Sequence, residues 1–124
     1  MPVTTAATAQ VFEMHNARFT SLIRPSTGST ELCVWRVEVA PGTEGVAHRV
    51  LREEAFVVLS GGPTLTVEGV TTDLAVGDAA LAPAGSTIRL SNLGEQPAVV
   101  LVTVPVGFTG ELADGTVVNP PWVN

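Results

Sequence analysis

GTEGVAHRVLREEAFVVLSG, residues 42–61, is the stretch on which the reading of the chain turns. It opens and closes on glycine, holds His48 and Glu54, and runs out through the apolar segment AFVVL. A second block, GDAALAPAGSTIRLSN at residues 77–92, looks like its partner. Gly77-Asp78 marks a turn, 79–82 a short apolar strand, Pro83-Ala84-Gly85 a second turn, and 87–90 a returning strand.

Outward from these blocks the same rhythm continues. ELCVWRVEVA, residues 31–40, alternates: Cys33, Trp35, Val37 and Val39 share one face, and Val34, Arg36 and Glu38 the other. That period of two predicts a strand with one buried side, ended by Pro41-Gly42. TLTVEGVTTDLAV, residues 64–76, reads as a hairpin turning near Glu68-Gly69. NLGEQP, residues 92–97, is a polar turn before AVVLVTVPV, the longest apolar run. Nearer the N-terminus the order weakens. Val11 to Ile23 shows no clean period and is read as one or two short strands, and Arg24 to Thr30 as a loop. Residues 1–10 are small and polar and are expected to form a flexible arm, leaving 11–124 as a single domain. Turn signals about every eight to twelve residues, with no competing helical period, indicate an all-β sandwich or barrel.

Composition bounds what such a barrel does. A chain of 124 residues, 45% of them apolar, builds one domain with a real core. The net charge is −6, the six basic residues are all arginine, and none cluster, which argues against nucleic acid as a partner. No apolar stretch is long enough to span a bilayer, so no membrane partner is expected. MPVTTAATAQ, residues 1–10, lacks the features of a signal peptide, and a single cysteine, Cys33, forms no internal disulfide; both favour the cytoplasm.

The two blocks resemble the paired motifs of the small single-domain cupins. The first cupin motif is Gly, five residues, His-x-His, three or four residues, Glu, six residues and Gly; Gly42, His48, Glu54 and Gly61 fall on those spacings. The second is Gly, five residues, Pro-x-Gly, two residues, His, three residues and Asn; Gly77, Pro83, Gly85 and Asn92 match it. The resemblance implies a double-stranded β-helix, a jelly-roll-like barrel, and a homodimer. The closing Pro-Pro-Trp, residues 120–122, also resembles the tail of many small bacterial cupins.

In that family the motif histidines and glutamate hold a transition metal inside the barrel. Here the second histidine position is Val50 and the third is Ile88, so only His48 and Glu54 remain as metal ligands. Two protein ligands rarely hold a first-row ion firmly. The expectation is therefore no tight cofactor, with a loosely bound divalent transition metal as the alternative. An acid and a base left among aliphatic side chains form a candidate catalytic pair, His48 and Glu54. The bland alternative is that they hydrogen-bond to each other as a relic polar site.

Trp35, Val50, Phe56, Ile88 and Leu90 are the candidate lining of a pocket for an aromatic or other apolar ligand; equally, they fill a narrow barrel outright. Arg36, Arg49, Arg52 and Arg89 have the opposite parity and are expected to be solvated, Glu53 likewise, and Cys33 is expected to be a core thiol. Trp122 is expected to dock on the outside of the barrel or on a partner subunit, with a lid over a ligand as the second reading. Three functions stay open: a metal-independent isomerase, cyclase or dehydratase using the His-Glu pair; a non-catalytic ligand-binding or sensor barrel; and a metal-dependent enzyme such as a dioxygenase, completed by His15 or water.

Overall fold

The computed structural model describes residues 3–124; the first two residues of the expected arm lie outside them. Among the described residues, twelve strands form two six-stranded antiparallel sheets. The first holds β1 (Gln10–Met14), β2 (Ala17–Ile23), β3 (Leu32–Val39), β10 (Ala98–Pro105), β5 (Glu54–Ser60) and β8 (Ala79–Ala82), in that order. The second runs β12 (Val117–Val118), β11 (Gly110–Glu111), β4 (His48–Val50), β9 (Thr87–Ser91), β6 (Thr64–Val67) and β7 (Val70–Asp73). Consecutive strands repeatedly change sheets, the mark of a double-stranded β-helix rather than a meander.

Alternation builds the core. On β3, Cys33, Trp35, Val37 and Val39 are buried while Arg36 and Glu38 are exposed. On β10, Ala98, Val100, Val102 and Val104 are buried and the residues between them are half-covered. β10 lies between β3 and β5 with Val102 opposite both Trp35 and Phe56, so three inward rows meet at the centre of the first sheet. The register slips between Val99 and Val100, beside Gly61. Gly61 has φ +77°, and a Cβ there would stand 2.5 Å from the Pro97 carbonyl oxygen. Only glycine meets both demands.

The irregular segment 11–23 resolves into a β1–β2 hairpin whose turn, His15-Asn16, lies at positive φ in both residues. The expected hairpin at Glu68-Gly69 forms β6–β7. The loop at 24–30 contains a short 3₁₀ turn, Pro25–Thr27. The irregular tail adds β11 and β12 to the second sheet, turning at Asp114-Gly115, where the Thr116 N–H donates to Asp114 Oδ1 at 2.9 Å. It ends in a second 3₁₀ turn, Pro121–Val123.

The expected position of Trp122 needs correction. It does not dock on the outer surface; it reaches the inner face of the first sheet, where Phe12 pairs with Phe19 and Ser21 with Trp35. Its ring stacks on Phe19 at 3.7 Å and 8° and meets Trp35 edge-on at 6.2 Å. Three hydrogen bonds pin the tail: Ser21 Oγ donates to the Trp122 carbonyl at 2.9 Å, Cys33 Sγ to that of Val123 at 3.4 Å, and Arg24 Nη1 to that of Pro121 at 3.1 Å. Covering a large aromatic surface and binding its carbonyls outweighs leaving the end in water.

Candidate functional site

Between the sheets the side chains leave a cavity of about 270 Å³. His48 enters it from β4 and Ile88 from β9, and the two are directly paired across the strands. Leu90 lies two residues beyond Ile88 on the same strand face. From the facing sheet come Trp35 on β3 and Glu54 and Phe56 on β5. Six of the seven residues singled out from the sequence thus border one space. Val50 does not. It shares a strand with His48 yet is wholly buried, enclosed where its N–H donates to the Ser86 carbonyl and its own carbonyl accepts from Gly85 N–H.

Residues from distant segments complete the wall. Phe19 and Phe108 contribute aromatic surface, and Trp122 with Pro120 closes one side. The rim is made by Met14 and His15 of the first hairpin and by Gly45 and Val46 before β4. Met14 and His15 reach the rim because the first hairpin turns at His15-Asn16. A left-handed turn usually announces itself by Asn-Gly or Asp-Gly, and His-Asn carries that signal weakly.

Glu54 is buried, and its Oε1 has no hydrogen-bond partner. Desolvation disfavours the carboxylate and pushes its pKa up to about 8. At neutral pH the side chain is therefore a carboxylic acid, able to donate. His48 is half-exposed, with Nδ1 3.0 Å from the Val46 carbonyl oxygen. A carbonyl only accepts, so Nδ1 carries the hydrogen, and in the neutral ring the lone pair sits on Nε2. His48 and Glu54 make neither hydrogen bond nor ion pair with each other, so the relic pair bonded to itself is not what forms. An acid and a base instead stand on facing sheets around one apolar space.

The remaining polar groups behave more plainly. Arg36, Arg49 and Arg52 are exposed; Arg49 Nε donates to the Gly85 carbonyl and its Nη1 stands 3.7 Å from Glu111. Arg89 is half-buried and pairs with Glu44 at 2.8 Å. Glu53 is exposed. Burial pushes the Cys33 thiol up, away from the thiolate a nucleophile needs.

A metal ion asks for more than this wall offers. Among the described residues no group of three or more His, Cys, Asp or Glu side chains is placed to hold one. Ile88 stands against His48 where a third imidazole would be needed, Val50 is sealed in the core, and Glu54 holds a proton that a ligand would have to lose. This donor set does not fit a resident transition ion.

The profile of one protein family, described as "Cupin domain", matches residues 35–104, more than half of the chain and both glycine-framed blocks. No curated protein matches the sequence. Several solved structures share the fold. The polyketide cyclase RemF from Streptomyces resistomycificus is 20% identical with a TM-score of 0.77, over 94% of this chain and 82% of that one. The cupin domain of Cnp3 from Schizosaccharomyces pombe is 18% identical with a TM-score of 0.70, over 82% and 71%. A salicylate 1,2-dioxygenase from Pseudoaminobacter salicylatoxidans is 19% identical with a TM-score of 0.67, over 77% of this chain and 26% of that one. At such identities the likeness is one of fold, and the fold hosts unlike activities.

Proposed function

The chain belongs to the cupin family, and from that membership and the make-up of its cavity we propose that it binds a small organic molecule and moves protons on it without a metal. The carrying observation is the buried Glu54 carboxyl, with no hydrogen-bond partner on Oε1, bordering the same apolar space as His48; desolvation there favours the protonated acid. In the proposed reaction Nε2 of His48 takes a proton from a carbon next to a carbonyl group. The Glu54 O–H gives its proton to the carbonyl oxygen as negative charge develops there. The product is an enol. Return of the proton at another carbon gives an isomer, attack of the enol carbon on a second carbonyl gives a ring, and loss of a β-hydroxyl as water gives a dehydrated product. No electron acceptor is required in any of them. This covers the isomerase, cyclase and dehydratase classes, and the polyketide cyclase among the fold relatives is one protein in which the fold carries such a name.

The test is hydrogen–deuterium exchange at the carbon next to the carbonyl of 2-tetralone and 2-decalone in D2O, followed by NMR. The protein should accelerate exchange of at least one ketone, and His48→Gln should lose about a hundredfold or more of that acceleration. Glu54→Gln should also slow it. Exchange undiminished in both variants removes the reading and leaves a binding barrel without chemistry.

We also propose that the chain is a cytoplasmic homodimer. Leu32, Val57, Leu59 and Leu81 are exposed on the outer face of the first sheet, where β3, β10, β5 and β8 lie side by side. Such an apolar face is best covered by a second copy. Light scattering at micromolar concentration should return twice the 12.8 kDa chain mass; the monomer mass would reject the dimer.

A further inference from the structure

The chain contains six aromatic residues, two Trp and four Phe, and no Tyr. Phe19, Trp35, Phe56, Phe108 and Trp122 border the cavity, and the sixth, Phe12, tilts against Trp122 at 6.3 Å. Every aromatic ring in the molecule is thus at this cavity or one contact behind it. Rings gathered merely to fill a barrel would interdigitate until little space was left, since cores retain few voids larger than a water molecule. Here about 270 Å³ remains among them. The exposed Met14, His15 and Val46 on its rim show that it has a mouth.

The rings are also arranged, not just assembled. Trp122 and Phe19 stack nearly parallel at 3.7 Å, while Trp35 meets Trp122 edge-on and Phe108 at a tilt of 54°. One face of the indole is used by Phe19, and the same residue borders the open space. The indole Nε1–H is buried without an acceptor, as Glu54 Oε1 is buried without a partner. A planar ring has faces and edges for the surrounding aromatic quadrupoles, and an oxygen on it can accept from the Glu54 carboxyl, whose side chain borders the same space.

We infer that the ligand of this cavity is a small molecule built on a planar aromatic ring and carrying a hydroxyl or carbonyl oxygen, and that Trp122 in the C-terminal tail selects for it. This rests on the proposal that the cavity is a ligand site and adds the class of compound. Trp122 is a specificity residue held in place by its neighbours: Ser21 takes its carbonyl, Phe19 its ring face and Arg24 the carbonyl of Pro121. The tail is thereby part of the binding wall, and substituting its indole changes what the cavity accepts.

The experiment compares 2-naphthol with decahydro-2-naphthol, which keeps the carbon skeleton and the oxygen but loses planarity and the π-face. Binding is measured by calorimetry, with quenching of Trp35 and Trp122, the two tryptophans of the chain, as a second signal. The wild-type protein should prefer 2-naphthol by about tenfold or more, the worth of one or two aromatic contacts beyond area burial. Trp122→Leu should lose most of that preference, while Trp122→Phe, which keeps a ring against Phe19, should retain much of it and guards against reading misfolding as lost selectivity. Equal binding of the two compounds to the wild type overturns the aromatic class and leaves the acid–base proposal standing on its exchange test. A preference unchanged in a folded Trp122→Leu overturns the role of Trp122. Failure of both compounds to bind up to their solubility overturns the inference together with the ligand site itself.

Discussion

Glu54 joins stability to pH in a direction opposite to most acidic residues. Unfolded, its carboxyl ionises near its ordinary 4.5; folded, it holds its proton to about 8. Between those values the unfolded chain binds fewer protons, so stability falls as pH rises through the window. The contribution is complete below pH 4.5, declines toward pH 8 and then levels off. Its full span is on the order of a few kcal/mol. Glu54→Gln, neutral at every pH and similar in shape, should remove that slope. The melting temperature of the variant minus that of the wild type should climb from pH 4.5 to 8, and a flat difference would mean that Glu54 ionises normally. The spacing of His48 and Glu54 inside their block made both legible as site candidates. The protonation of Glu54 and the tautomer of His48 were not legible, because the first follows from what covers Glu54 and the second from the Val46 carbonyl beside His48.

Strands and hairpins were the most readable level. Alternation on β3 and the turn at Glu68-Gly69 stand where the pattern puts them, since strand parity and turn chemistry are properties of neighbouring residues. The loop 43–47 shows what local pattern misses. Gly45 passes so close to β9 that an added Cβ would strike the Leu90 carbonyl oxygen, and its N–H donates to Ser91 Oγ at 2.9 Å. No spacing rule marks Gly45, because its constraint comes from a strand more than forty residues away in the chain. Gly45→Ala should force the loop off β9, costing about 1–3 kcal/mol by chemical denaturation. Ligand affinity should fall as well, since Gly45 and Val46 form part of the cavity rim. A variant as stable as the wild type would show that the loop gives way freely.

At the scale of the whole molecule, the barrel keeps the layout of its family, while Val50 and Ile88 stand where the family motifs place imidazoles. Protein purified without an affinity tag should therefore carry well under one equivalent of any transition metal by elemental analysis, and EDTA should leave its melting temperature unmoved. A stoichiometric ion, or a clear loss of stability on chelation, would contradict the donor chemistry of His48 and Glu54. The alternation of β3, the two glycine-framed blocks and the replacement of imidazoles by Val50 and Ile88 were decided in the sequence, because they depend on the identity and spacing of residues close together in the chain. Tertiary structure alone decided that Trp122 lies inside and not outside, that His15 reaches the rim and that Val50 is shut away from it. The Ser21–Trp122 hydrogen bond shows the physical reason: it joins groups 101 residues apart, and which distant surfaces come to share a cavity is set by packing, which leaves no local period to read.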